Sequence, residues 1–138
     1  MCLESKEKLV RNKDKGNFLV RYVKSFFHAV EGIIYTIKNE HNMIIMLLAV
    51  VVVTIAGLYF SISVPEWLFC IGMFGAVIAS EMINTSIEAV VDLVSPEKNM
   101  LAKIAKDTAS SASLILSIAA CIGALMIFIP KIQLLIIR

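Results

Sequence analysis

Four polar residues stand at helical spacing inside an apolar stretch: Glu81, Asn84, Glu88 and Asp92. At about 100° per residue they fall near 0°, −60°, −20° and +20° on a helical wheel, a stripe roughly 80° wide and about 16 Å long. Like charges so arranged repel unless a cation intervenes. Carboxylate oxygens at i and i+7 suit Mg²⁺, which is commonly shared between one or two carboxylates and substrate phosphates. Glu40 precedes another apolar run and offers a further oxygen ligand at comparable depth, while Lys103, Lys106 and Asp107 lie in a short basic segment downstream. Lysines beside carboxylate-held Mg²⁺ are what the phosphates of a nucleotide need.

Other readings stay open on spacing alone. The stripe also fits a small oligomeric channel or binding protein in which carboxylates line a cation path, although a cation pore gains little from lysines at its mouth. Asp107, followed by Thr108 and an apolar run, also fits a helix N-cap. Lys103 fits an ordinary loop cation, Glu40 an interfacial charge, and His28 a solvated side chain. No soluble-enzyme nucleotide motif is present: the six glycines form neither GxxxxGK[ST] nor GxGxxG. HRD, DFG, GxSxG and HExxH motifs are missing as well. Phosphoryl transfer here has to be assembled from the elements that carry the stripe.

Those elements are membrane helices. Hydrophobic residues make up 59% of the 138-residue chain and charged residues only 17%, with a mean hydropathy of +0.84. Soluble domains run nearer 45–50% apolar and about 25% charged, so the excess has to face something other than water. Met43–Val64 and Thr108–Ile129 are each 22 residues without a charge, enough at about 1.5 Å per residue to cross a bilayer core of roughly 30 Å. A third apolar stretch begins at Trp67 and is interrupted only by Glu81, Glu88 and Asp92. An ionisable side chain inside a bilayer is costly and faces a bundle interior or a polar cavity. Residues 18–38 alternate apolar and polar faces at i, i+3, i+4 and i+7, as a helix lying in the headgroup layer does.

The expected fold is therefore an all-α integral membrane protein, a single membrane domain over 1–138. It comprises a polar segment (1–17), an amphipathic surface helix (18–38) and three spans (43–64, 66–94 and 108–130). Eleven of the 13 lysines and arginines precede the first span or lie between the second and third. The positive-inside rule then places the N-terminus of this multi-pass membrane protein in the cytoplasm. Residues 1–17 are charged and lack the apolar core of a cleavable signal peptide. Cys2, Cys70 and Cys121 are widely spaced and read as reduced thiols. Small residues on the third span, Ala109, Ser113 and Ser117 in one row, favour close helix association. An oligomer follows, since one chain has too little polar surface to enclose a nucleotide.

The run Glu81-Met82-Ile83-Asn84-Thr85-Ser86-Ile87-Glu88-Ala89-Val90-Val91-Asp92, with Ala105-Lys106-Asp107 after it, resembles the signature of the prokaryotic diacylglycerol kinase family. The likeness covers about 110 residues. In Lys38-Asn39-Glu40-His41-Asn42-Met43, Glu66-Trp67 and Val94-Ser95-Pro96-Glu97 it is similar in particular to the undecaprenol kinases of that family. Ser86, where the pattern usually has Ala, and His28, where some members have Tyr, are departures. The resemblance implies a homotrimer that transfers phosphate from ATP, with Mg²⁺, to the hydroxyl of a membrane lipid alcohol, undecaprenol or alternatively diacylglycerol. It implies Glu81 as general base and Asn84 as its orienting partner, and Glu40 and Glu88 as metal ligands. Glu40, Glu88, Glu97, Lys98, Asn99, Lys106 and Asp107 would meet ATP, while Arg21, Lys24, Glu81 and Ser110 would meet the lipid. No nucleic-acid partner is expected.

Overall fold

The computed structural model describes residues 18–97 and 99–137, and among them the chain is helical throughout, with four helices joined by short connections. They are α1 (Phe18–Asn39), α2 (His41–Tyr59), α3 (Val64–Val94) and α4 (Met100–Ile136). Residues up to Tyr35 form one unit and residues from Thr36 a second. Within the first, α1 exposes its apolar side: Phe26 and Phe27 are 68% and 61% exposed, and Phe18 packs edge-on against Tyr22 with ring centroids 4.5 Å apart. An aromatic face left uncovered on one side of a helix is what an interfacial helix presents to lipid.

In the second unit, α2, α3 and α4 are each long and apolar enough to cross a membrane. At about 1.5 Å per residue, α3 and α4 outrun a 30 Å hydrocarbon core by several turns. The surplus is where their charges sit. α4 starts at Met100, well before its uncharged window opens at Thr108, so Lys103, Lys106 and Asp107 ride on its first turns rather than on a loop. The N-cap is Asn99, whose side-chain oxygen accepts the Leu101 N–H at 2.8 Å; Asp107 therefore does not cap the helix. α2 ends at Tyr59, earlier than the apolar run does. Ile62 N–H reaches Gly57 O (3.1 Å) and Ser61 N–H reaches Leu58 O (3.3 Å), with Ser61 in the left-handed region at φ 48. This paired closure satisfies the last carbonyls of α2 and turns the chain sharply. α3 then opens on a capping box, Ser63 with Glu66, with Pro65 in the first turn where a missing N–H costs nothing.

α3 and α4 run antiparallel and touch along their length. From one end to the other the contacts are Lys106 with Asp92, Ser113 with Ser80, Phe69 against Gly123, and Lys131 with Glu66. Any Cβ at position 123 would run into the Phe69 ring, and one at position 57 would come within 2.8 Å of Trp67. Glycine at both places lets helices approach closely. Pro130 lies inside α4 and breaks its hydrogen-bond ladder just before Lys131 pairs with Glu66 at 3.2 Å.

The buried set is inverted relative to a soluble protein. Met43, Ile62, Cys70 and Val77 are buried, but so are Thr36, Glu81, Asn84, Thr85 and Ser113, while most large apolar side chains are exposed. A surface of that kind requires lipid or further protein around it.

Candidate active site

Glu81 is 1% exposed and Asn84 4%, although both belong to a helix whose outer surface is apolar. Their burial follows from the stripe: the polar side of α3 is the side that faces its neighbours, because turning it to lipid would leave charge in hydrocarbon. Among the described residues, Glu81 Oε1 and Asn84 Oδ1 are buried side-chain oxygens without a hydrogen-bond partner. The amide of Asn84 donates to Glu88 Oε1 at 3.2 Å. The i, i+4 spacing carries the Asn84 amide toward Glu88.

Glu81 lines a cavity of about 550 Å³ between α2, α3 and α4. Asn42, Glu81, Ser110 and Ser113 stand at the end that lies toward the start of α2 and α4. Val53, Phe69 and Ala124 stand at the other, with Val50, Met73, Val77, Ser117 and Ala120 among those between. On α3 the lining runs from Phe69 to Glu81, roughly 18 Å at helical rise. The cavity is a slot parallel to the helices, polar at one end and apolar along the rest, and its shape and chemistry match an alcohol on a hydrocarbon chain. Ser110, expected to meet the lipid, is brought to the same cavity as Glu81.

One turn from Ser110 along α4 and about three turns from Glu81 along α3, the cationic part is assembled across the two helices. Lys106 Nζ lies 2.6 Å from Asp92 Oδ1. Nζ carries three donors, so the ion pair leaves it able to hold an additional anion. Asp107, by contrast, is exposed; Lys103 approaches it at 3.9 Å and its carbonyl accepts from Ser111 Oγ at 2.6 Å. Glu40 is half-buried at the N-cap position of α2, and its side chain makes no capping hydrogen bond. Glu97 is exposed in the short connection before α4, with its carbonyl accepting from Ser95 Oγ, and Asn99 is spent on the cap. Arg21 and Lys24 are exposed on α1, in the first unit. Lys98 lies outside the described residues.

Three partners escape a reading of the sequence. Ser113 looks like one more small residue of a packing row, yet it is 4% exposed and donates to Ser80 at 3.1 Å. Asp92 is legible as a member of the stripe but not as the mate of Lys106. Asn42, at the polar end of the cavity, is legible only as part of the Lys38–Met43 motif, with no role of its own.

The chain matches the prokaryotic diacylglycerol kinase family over residues 27–128, the segment that holds every residue lining the cavity and the Asp92–Lys106 pair. It is 38% identical over 120 residues to an undecaprenol kinase of Bacillus subtilis, a match covering 87% of this chain and 98% of that protein. It is 34% identical over 119 residues to a diacylglycerol kinase of a Synechocystis species, covering 81% of this chain and 65% of that protein. With its three membrane-crossing helices, buried carboxylate and cross-helix lysine, the chain belongs to the prokaryotic diacylglycerol kinase family.

Proposed function

We propose that this protein is an ATP-dependent kinase that phosphorylates the terminal hydroxyl of undecaprenol, giving undecaprenyl phosphate. The observation that carries the reading is the buried carboxylate of Glu81, with its Oε1 unpartnered, at the polar end of an apolar cavity. A lipid alcohol entering that slot brings its own hydroxyl to the acceptor that lacks a donor. The choice of undecaprenol rests on the Bacillus subtilis relative, matched over nearly its whole length.

In this reading Glu81 accepts the hydroxyl proton as the lipid oxygen attacks the γ-phosphorus of ATP. The P–O bond to ADP breaks as the new one forms. An apolar wall strengthens the hydrogen bond between hydroxyl and carboxylate and keeps water from competing as acceptor. Lys106, already held on Asp92, offers its remaining donors to the phosphate oxygens. Asp107, Glu97, Lys98 and Asn99 border the nucleotide, and Arg21 and Lys24 attend the lipid headgroup.

Among the described residues no three acidic, histidine or cysteine side chains converge on a point. Mg²⁺ is commonly held by one or two carboxylates while phosphates and water complete its shell. Glu88 and Glu40 are the carboxylates proposed to hold it. When bound, the ion neutralises charge on the phosphates. Glu88 presents a carboxylate steadied by Asn84. The homotrimer, the plasma-membrane location and the cytoplasmic N-terminus belong to the same proposal. The membrane location is supported by the exposed apolar surface and the orientation by the distribution of lysine and arginine, while the number three rests on the family resemblance.

The test offers undecaprenol and diacylglycerol separately to purified protein in mixed micelles with Mg²⁺ and γ-labelled ATP. Preferential labelling of undecaprenol is expected. Preference for diacylglycerol would keep the chemistry and change the acceptor, in line with the Synechocystis relative. Labelling of neither lipid would move a cation-binding or channel role ahead.

A further inference from the structure

We propose that Ser113 on α4 and Ser80 on α3 are positioning residues that set the aim of Glu81. The inference rests on the lipid-kinase reading above. The Glu81 side chain has an oxygen without a partner, so no bond to that atom fixes where the carboxylate points. The backbone that carries it therefore contributes to its aim.

That backbone is held from both sides by hydroxyl groups. Thr85, itself buried, donates from Oγ1 to the Glu81 carbonyl at 3.0 Å. Ser80 donates from Oγ to the Val77 carbonyl at 2.8 Å. Val77 is four residues before Glu81, and in an α-helix its carbonyl is also the acceptor for the Glu81 N–H. Ser113 then donates to Ser80 Oγ at 3.1 Å across the helix pair. A chain of hydroxyls thus runs from α4 through Ser80 to the peptide that fixes Glu81. Each bond polarises the next in partly buried surroundings.

The placement is selective. Among the described residues, the ion pairs between α3 and α4 and the Phe69–Gly123 approach lie one turn or more away: Asp92 with Lys106 toward one end, Phe69 with Gly123 and Glu66 with Lys131 toward the other. Ser113 with Ser80 is a cross-helix hydrogen bond beside Glu81. Side-chain back-bonding to a carbonyl in a helix also shifts the local bend, so loss of the Ser113 hydroxyl turns Glu81 by a small amount without opening the bundle. A shift of that kind acts on turnover, since general-base geometry is sensitive to displacements of an ångström.

The experiment measures kcat and both KM values for wild type, Glu81→Gln, Ser113→Ala, Ser80→Ala, the double serine variant and Ser113→Thr. Size-exclusion chromatography in detergent reports the assembly of each. Each single alanine variant is expected to lower kcat roughly tenfold, with both KM values within about twofold of wild type. The double variant should be no slower than the slower single, because both substitutions remove the same bond. Ser113→Thr, which keeps the hydroxyl, should restore most of kcat. Wild-type kcat in the single variants, multiplication of their effects in the double, or a Ser113→Thr protein as slow as Ser113→Ala would each overturn the role. So would a rise in acceptor KM at unchanged kcat, which would make Ser113 a lipid contact. If Ser113→Ala does not assemble, Ser80→Ala breaks the bond from the other side, and wild-type kcat there is again fatal. An inactive wild type defeats the kinase reading, and an active Glu81→Gln removes Glu81 from the base role; either result takes the positioning role with it.

Discussion

At the scale of single residues, what the sequence shows best is charge out of place. Glu81, Glu88 and Asp92 are conspicuous because hydrocarbon penalises them, and their helical spacing alone puts them on one side of α3. Their partners are less legible. Lys106 finds Asp92 across a helix pair, and Ser113 finds Ser80 from 33 residues away; a one-dimensional pattern does not report such distances. If Lys106 serves the nucleotide, Lys106→Gln should raise the KM for ATP about tenfold or more, as expected for loss of charge-assisted bonds to phosphate, with the acceptor KM little changed. Asp92→Asn should move the same constant by a smaller factor, because it removes the lysine's holder and leaves its charge. Steady-state kinetics with each substrate varied in turn separates the two. An unchanged ATP KM in Lys106→Gln would remove that residue from the nucleotide site.

At the scale of elements, the apolar windows locate the three long helices, but their ends obey other rules. A membrane window stops at the first charge, whereas a helix stops where its terminal groups find partners. Hence α4 starts at its Asn99 cap, well before the uncharged run, and α2 ends in the turn closed by Ser61 and Ile62 before its apolar run is finished. Packing adds constraints that no window shows, and Gly123 is the clearest. With the Phe69 ring where its Cβ would stand, Gly123→Val should destabilise the bundle by about 1–3 kcal/mol, read as a lower unfolding midpoint in detergent. Adding Phe69→Ala should recover part of that loss. A Gly123→Val protein as stable as wild type would mean that α3 and α4 do not meet there.

At the scale of the whole molecule, the chain is incomplete in one respect. It buries a carboxylate, an amide and several hydroxyls while leaving the outer faces of its helices apolar, and its three-helix unit offers little to surround a nucleotide. Composition announces membrane burial, but not how many copies share it, since lipid and a second chain satisfy an apolar face equally well. The proposed homotrimer predicts cross-linked species up to three chains and none beyond in mild detergent, with activity lost when harsher detergent separates them. A fully active monomer would contradict it. The account as a whole stands on Glu81 taking the proton of a lipid alcohol inside the bundle. The direct measurement is transfer of labelled γ-phosphate to undecaprenol by wild type and Glu81→Gln, with ATP binding and assembly followed in parallel. The account predicts loss of turnover by about 10²–10⁴-fold in the variant, as for removal of a general base, with nucleotide binding and assembly retained. A Glu81→Gln protein that still phosphorylates lipid near the wild-type rate would contradict it.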